Sequence, residues 1–157
     1  VHPAIDTVSR ALAAAGARGA VRELDSAART APMAAAQLGV EVGAIANSLI
    51  FDADGAPLLV LTSGAHRVDT SLLARTLGVT RISRADPEFV RKHTGQSIGG
   101  VSPVGHPDAL RTVVDQDLAR YDVVWAAAGH PHAVFPTTFD ELMRITGGTV
   151  AVVCDDA

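Results

Sequence analysis

Between Pro3 and Ala15 the apolar positions Ile5, Val8, Leu12 and Ala15 recur at helical spacing, with Arg10 on the other side and Gly16 ending the run. That pattern predicts an amphipathic helix. A short strand is expected over Ala20 to Leu24. A second short helix follows, with Thr30 as N-cap, Pro32 in its first turn and a stop at Gly39. Val42 to Phe51 is β-rich, and Asp52-Ala53-Asp54-Gly55 turns it into the apolar run Pro57 to Thr62, which reads as a hairpin. Asp69 caps a helix carrying Leu72, Leu73 and Leu77 up to Gly78, and Val79 to Ser83 reads as a strand. Asp86 before Pro87 signs another helix, through Phe89 and Val90.

Beyond Thr94 the pattern breaks, because Gly95 to Gly105 is too rich in glycine for regular structure and reads as a shaped loop. Strands are expected at Arg111 to Val114, Asp122 to Ala127 and Ala133 to Pro136. Thr138 with Glu141 is the pattern of a capping box for a last helix, and Val150 to Val153 reads as a closing strand. Hairpins interleaved with short helices predict an α/β fold of the α+β type, a mixed sheet with flanking helices rather than regular βαβ winding. No repeat or linker divides the chain, so one domain over residues 1–157 is expected.

Composition narrows the partners. Hydrophobic residues make up 48% and charged residues 19%, a globular balance that excludes disorder. Aromatic residues are only 4%, which weakens a reading as a protein that coats single strands by stacking. A net charge of −4 gives no global basic field, so DNA is not an expected partner and any nucleic-acid contact must be local. Cys154 is the only cysteine, which excludes a disulfide framework and a Cys-based metal site and fits a reducing compartment. No stretch resembles a signal peptide or a membrane span, so a soluble cytoplasmic protein is expected.

Candidate chemistry centres on Gly99-Gly100-Val101-Ser102-Pro103. Adjacent glycines let the backbone turn sharply and leave N–H groups uncovered, and Pro103 then fixes φ. Such a loop suits an oxyanion, although a plain tight turn has the same residues. It is neither a Walker loop nor a dinucleotide fingerprint. In Gly129-His130-Pro131-His132 the histidines lack a third ligand at recognisable spacing, so no metal site is expected. His130 offers a ring donor and acceptor for a ribose hydroxyl or a water, or is a polar loop residue. Asn47 and Ser48 interrupt an apolar strand and fall on opposite faces of it, so one of them faces either a pocket or a neighbouring loop. A Ser102–His130–Asp triad is disfavoured, since no nucleophile elbow surrounds Ser102. Arg67 beside the Asp69 cap reads as a surface cation. Arg84, Arg91 and Lys92 read as a solvated face or as local contacts for a nucleic-acid backbone.

In their order along the chain these pieces resemble the YbaK/ProRS-associated family, the relatives of the editing domain inserted in bacterial prolyl-tRNA synthetases. The segments carrying the resemblance are Thr30 with Ala34 to Val40, Ile45 to Phe51, Leu59 to Gly64 with Arg67-Val68-Asp69, and Ala85-Asp86-Pro87. Thr94-Gly95, Ile98 to Pro103 and Val124 to Pro131 complete the set. The resemblance implies a barrel-like mixed sheet surrounded by short helices, and trans-acting hydrolysis of the ester of a mischarged aminoacyl-tRNA without metal or cofactor. It implies that Gly99, Gly100, Val101 and Ser102, with Asn47, serve the reaction. Thr30, Ser48, Pro103, Gly129 and His130 are then expected to bind the tRNA 3′ end, with an aminoacyl-tRNA synthetase as a further candidate partner. Family deacylases usually carry lysine where this chain has Asn47. That departure keeps open a noncatalytic binder of aminoacyl-tRNA ends or of a small aminoacyl or nucleotide ligand.

Overall fold

The computed structural model describes residues 2–96 and 99–154; Ser97 and Ile98, within the expected glycine-rich loop, lie outside them. In chain order the elements are α1 (Pro3–Ala14), β1 (Arg22–Glu23), α2 (Ala31–Leu38), a 3-10 turn (Val42–Ala44), β2 (Ile45–Ala53) and β3 (Ala56–Ser63). Then come α3 (Thr70–Leu77), β4 (Ile82–Arg84), α4 (Pro87–Thr94), β5 (Arg111–Asp115), a second 3-10 segment (Gln116–Arg120), β6 (Val124–Ala127), β7 (Ala133–Thr137), α5 (Phe139–Thr146) and β8 (Thr149–Ala151). No helix among the described residues is long and apolar enough to cross a membrane.

The helix signals act as read. Thr30, Asp69, Asp86 and Thr138 each accept a bond from the backbone N–H three residues on, and Gly39, Gly78, Gly95 and Gly147 end the same four helices in the left-handed region. The capping box is only half formed. Thr138 accepts the Glu141 N–H, but the Glu141 carboxylate accepts the Thr137 hydroxyl at 2.7 Å and the Arg18 N–H at 3.1 Å instead of reaching back to Thr138. It thereby ties α5 to the segment after α1.

Two strand boundaries move for identifiable reasons. Val42 to Ala44 forms a 3-10 turn rather than strand, with Gly43 packed so closely under Tyr121 that a Cβ would run into its hydroxyl. The hairpin turn contracts to Asp54-Gly55, both at positive φ (53° and 93°), the geometry of a two-residue primed turn. Asp54 then accepts the N–H groups of Thr80 and Arg81 at 2.8 Å each. That bridge keeps residues 79–81 out of the sheet and delays β4 to Ile82.

The eight strands form one mixed sheet in the order β1-β7-β6-β2-β3-β5-β8, with β4 attached to β2. Among the described residues β1 and β8 end this path and do not pair with each other, so these pairings describe an open sheet. The path forks at β2. One edge of β2 pairs with β3 from Ala46 to Ala53. The other edge pairs in parallel with β6 at Ile45 and Ala46 and antiparallel with β4 at Phe51 to Ala53. On that second edge Asn47 to Ile50 lie between the two branches without a strand partner.

Alternation along β2 separates two cores. Ala46 and Ile50 join the larger core with α1, Val101, Val104, Phe135 and Leu142, whereas Leu49, Phe51 and Ala53 pack with Leu73 and Ala74 of α3. In the first core α1 buries Ile5, Val8 and Leu12, each burial worth about 1.5–3 kcal/mol.

Candidate functional site

A cavity of about 730 Å³ occupies the fork of the sheet. Its floor is the stretch of β2 left unpaired on one edge, and its walls come from β6, from Arg84 at the end of β4 and Ala85 after it, from the start of α2, from the loop after β3 and from the glycine-rich loop. Asn47 and Ser48 both line it, from the opposite faces that alternation assigns them. The Asn47 side chain makes no hydrogen bond among the described residues, and the buried Ser48 Oγ has no partner.

The glycine-rich loop is braced from behind. The Gln96 side-chain oxygen accepts the Ser102 N–H at 2.7 Å, and the Gln96 amide donates to the Val104 carbonyl at 3.3 Å. His106 Nε2 donates to the Ser102 carbonyl at 2.8 Å. Gly99 and Val101 line the cavity, while Gly100, Ser102 and Pro103 are buried behind them, Ser102 with no exposed surface. The Ser102 N–H is therefore engaged within the protein. No described residue accepts a bond from the N–H of Gly99, Gly100 or Val101. A Cβ on Gly100 would stand 2.8 Å from the His130 Cα and carbonyl carbon, so the loop packs directly on the His130 backbone.

His130 lies in a turn between β6 and β7 and lines the cavity. Its Nδ1 accepts the His132 N–H at 3.1 Å, so the neutral ring carries its proton on Nε2. Burial lowers its pKa below the usual histidine value; the nearby His2, His132 and Arg29 lower it further and Glu23 opposes them. The ring is thus neutral at neutral pH. Gly129, at φ 94°, is buried against Ala4 and Val8 and sets the turn without reaching the cavity. Thr30 lines the cavity at the start of α2.

Six of the ten expected residues therefore meet at one cavity: Thr30, Asn47, Ser48, Gly99, Val101 and His130. His66 and Asp115 were not singled out by sequence. His66 lines the wall with its ring between two carboxylates, Nδ1 at 2.8 Å from Asp115 Oδ2 and Nε2 at 2.8 Å from Asp117 Oδ2. The three ligand-type atoms fall within 4.8 Å of one another, but the carboxylates stand at opposite ring nitrogens and clamp the ring from both sides instead of converging on one of them. Asp115 is 1% exposed and also accepts the Ser63 N–H at 2.9 Å and the Thr62 hydroxyl at 3.3 Å. An aspartate directly after apolar Val113-Val114 was the available sequence signal for it. Arg29, Arg67, Arg84 and Trp125, the chain's only tryptophan, line the cavity as well.

Fold and site together define a mixed α/β protein with a ligand-sized cavity, glycine-loop backbone on one wall and polar side chains on its floor. Residues 25–145 match the aminoacyl-tRNA editing domain family, and the chain belongs to it. It is similar to the uncharacterized protein YwhH of Bacillus subtilis (strain 168), 30% identical over 87% of each chain. It is 32% identical to a proline–tRNA ligase of Levilactobacillus brevis, over 59% of this chain but only 16% of the ligase. Among solved structures it is similar to one described as "Crystal structure of a putative trans-editing enzyme for prolyl tRNA synthetase", with a TM-score of 0.91, 40% identity and 99% of both chains covered.

Proposed function

We propose that this protein is a trans-acting deacylase that hydrolyses the ester of a mischarged aminoacyl-tRNA. The observation carrying this reading is the convergence of Gly99, Val101, Asn47, Ser48 and His130 on one cavity. Water adds to the ester carbonyl, the tetrahedral oxyanion is held by loop N–H groups, and the ribose oxygen departs with a proton to leave free amino acid and intact tRNA. Neutral His130 presents its Nε2–H to a ribose oxygen, and Asn47 and the unpartnered Ser48 hydroxyl position the aminoacyl end. The similarity to proline–tRNA ligases and to a protein described as editing for prolyl tRNA synthetase supports tRNA for proline as the first substrate, and that synthetase as a partner.

A second reading follows from Asn47, whose neutral amide makes no charge-assisted contact, the kind roughly twice as strong as a neutral one. On that reading the chain binds aminoacyl-tRNA ends without turnover. Amino-acid release from a panel of mischarged tRNAs, by wild type, Asn47→Lys and Asn47→Ala, separates the two. Release by wild type that Asn47→Ala loses supports the deacylase. An inert wild type beside an active Asn47→Lys supports the binder.

A further inference from the structure

The protein has 17 acidic residues and a net charge of −4, yet no Asp or Glu among the described residues lines the cavity. Arg29, Arg67 and Arg84 do, each from a different segment: the approach to α2, the loop after β3 and the end of β4. All three are exposed, and none forms an ion pair among the described residues. Elsewhere Arg10 and Arg144 do pair with carboxylates. Arg29 stands beside the glycine-rich loop, its Cβ 3.9 Å from where a Cβ on Gly99 would lie. A low-dielectric cleft lined by charge of one sign concentrates the opposite charge. Guanidinium groups free of carboxylates hold phosphate through paired N–H donors.

We infer that Arg29, Arg67 and Arg84 form a phosphate-binding rim that grips the backbone of a single-stranded RNA end entering the cavity. The half-buried Trp125 on the same wall carries the Arg22 guanidinium over its ring, 5.9 Å from the centroid, and a run of cations suits a polyanionic strand better than a small inorganic anion. The inference deepens the function proposed above and rests on it only for the identity of the RNA. The rim binds whether or not the ester is cleaved, so the two can fail separately. Its role is affinity and positioning.

The test is equilibrium binding of a fluorescent single-stranded RNA ending in CCA to the full chain, over a range of salt. Wild type is compared with Arg29→Gln, Arg67→Gln, Arg84→Gln and the triple variant. Arg75→Gln serves as control, an exposed residue outside the cavity. Three phosphate contacts predict a slope of log affinity against log salt of about −2, each single substitution removing about 0.7 of it. The control should match wild type, and circular dichroism checks that each variant folds. Salt-independent or absent binding by wild type overturns the inference, as does a triple variant that binds like wild type. Amino-acid release from mischarged tRNA is measured in parallel. A rim that behaves as expected in a chain that releases nothing refutes the deacylase and leaves the rim standing. Release with unchanged KM in the triple variant refutes the rim and leaves the deacylase.

Discussion

The side-chain oxygen of Gln96 accepts the backbone N–H of Ser102 at 2.7 Å, and the same amide donates to the Val104 carbonyl at 3.3 Å. One buried side chain thus spans the glycine-rich loop and fixes the curvature that presents Gly99 and Val101 to the cavity. Gln96→Ala leaves a buried N–H and a carbonyl without partners, a loss of about 1–3 kcal/mol for an unsatisfied group. Urea unfolding should show that loss, and deacylation should fall by more than stability alone accounts for. A variant as stable and as active as wild type would refute the bracing role.

Gly100 sits against the His130 backbone, where a Cβ would approach carbon atoms to 2.8 Å. Backbone cannot yield as a flexible side-chain tip can, so Gly100→Ala should push the loop and the His130 turn apart. Because the reacting atoms must hold their placement within fractions of an ångström, turnover should drop by about 10²-fold. Gly39→Ala is the comparison. It is strained by its φ of 68° but meets nothing within 4 Å, and it should cost stability while leaving the site's turnover unchanged.

Local signals announced the elements well, because caps and left-handed glycines act within one turn of chain and need no distant partner. Thr30, Asp69, Asp86 and Thr138 illustrate this. What escaped was set by contacts across the fold. Asp54 clamps residues 80 and 81 and shifts β4, and Tyr121 over Gly43 turns an expected strand into a 3-10 turn. At the site, the glycine loop, Asn47, Ser48 and His130 stood out as breaks in local pattern. Gln96, His66 and Asp115 did not, since their meaning lies in partners 6, 49 and 52 positions away. Arg67, read as a solvated cation from its place beside a cap, is a cavity residue only because the sheet forks there.

Ser48 Oγ is the buried side-chain atom left without a hydrogen-bond partner among the described residues, and Ser48 lies in the cavity floor. An unsatisfied buried hydroxyl costs about 1–3 kcal/mol on mutational scales. Ser48→Ala should therefore raise the midpoint of thermal unfolding while it weakens substrate binding, a stability gain at the expense of the site. Matched thermal melts and KM measurements check it. A destabilised variant would mean that the hydroxyl is satisfied in the free protein.

His106 holds the Ser102 carbonyl from the far side of the loop, and burial depresses its pKa from 6.5, partly offset by that hydrogen bond. A depressed folded-state value means that the unfolded chain takes up the proton first as pH falls. The stability contribution is therefore complete above pH 6.5 and drains away below it, until the folded-state value is passed. His130, lowered by burial as well, adds a slope of the same sign. His106→Gln keeps an N–H donor but does not titrate. Urea midpoints measured from pH 8 down to pH 5 should fall less steeply in this variant than in wild type, and equal slopes would exclude His106 as a source.

Asp115 Oδ2 gathers the Ser63 N–H, the Thr62 hydroxyl and His66 Nδ1, while Oδ1 accepts the Asp117 N–H at 3.0 Å. Thr62 is the cross-strand neighbour of Asn47, so this network sits one strand from the cavity floor and fixes the wall at His66. Asp115→Ala strands four donors at once, those of Ser63 and Thr62 buried, and leaves His66 with Asp117 alone. Each buried donor left unsatisfied typically costs about 1–3 kcal/mol. Asp115→Asn retains an acceptor oxygen of the same reach, so it should cost less and should preserve more of the KM. If the two variants prove equally mild, below about 1 kcal/mol, the network does not hold the wall and His66 is placed by its own loop.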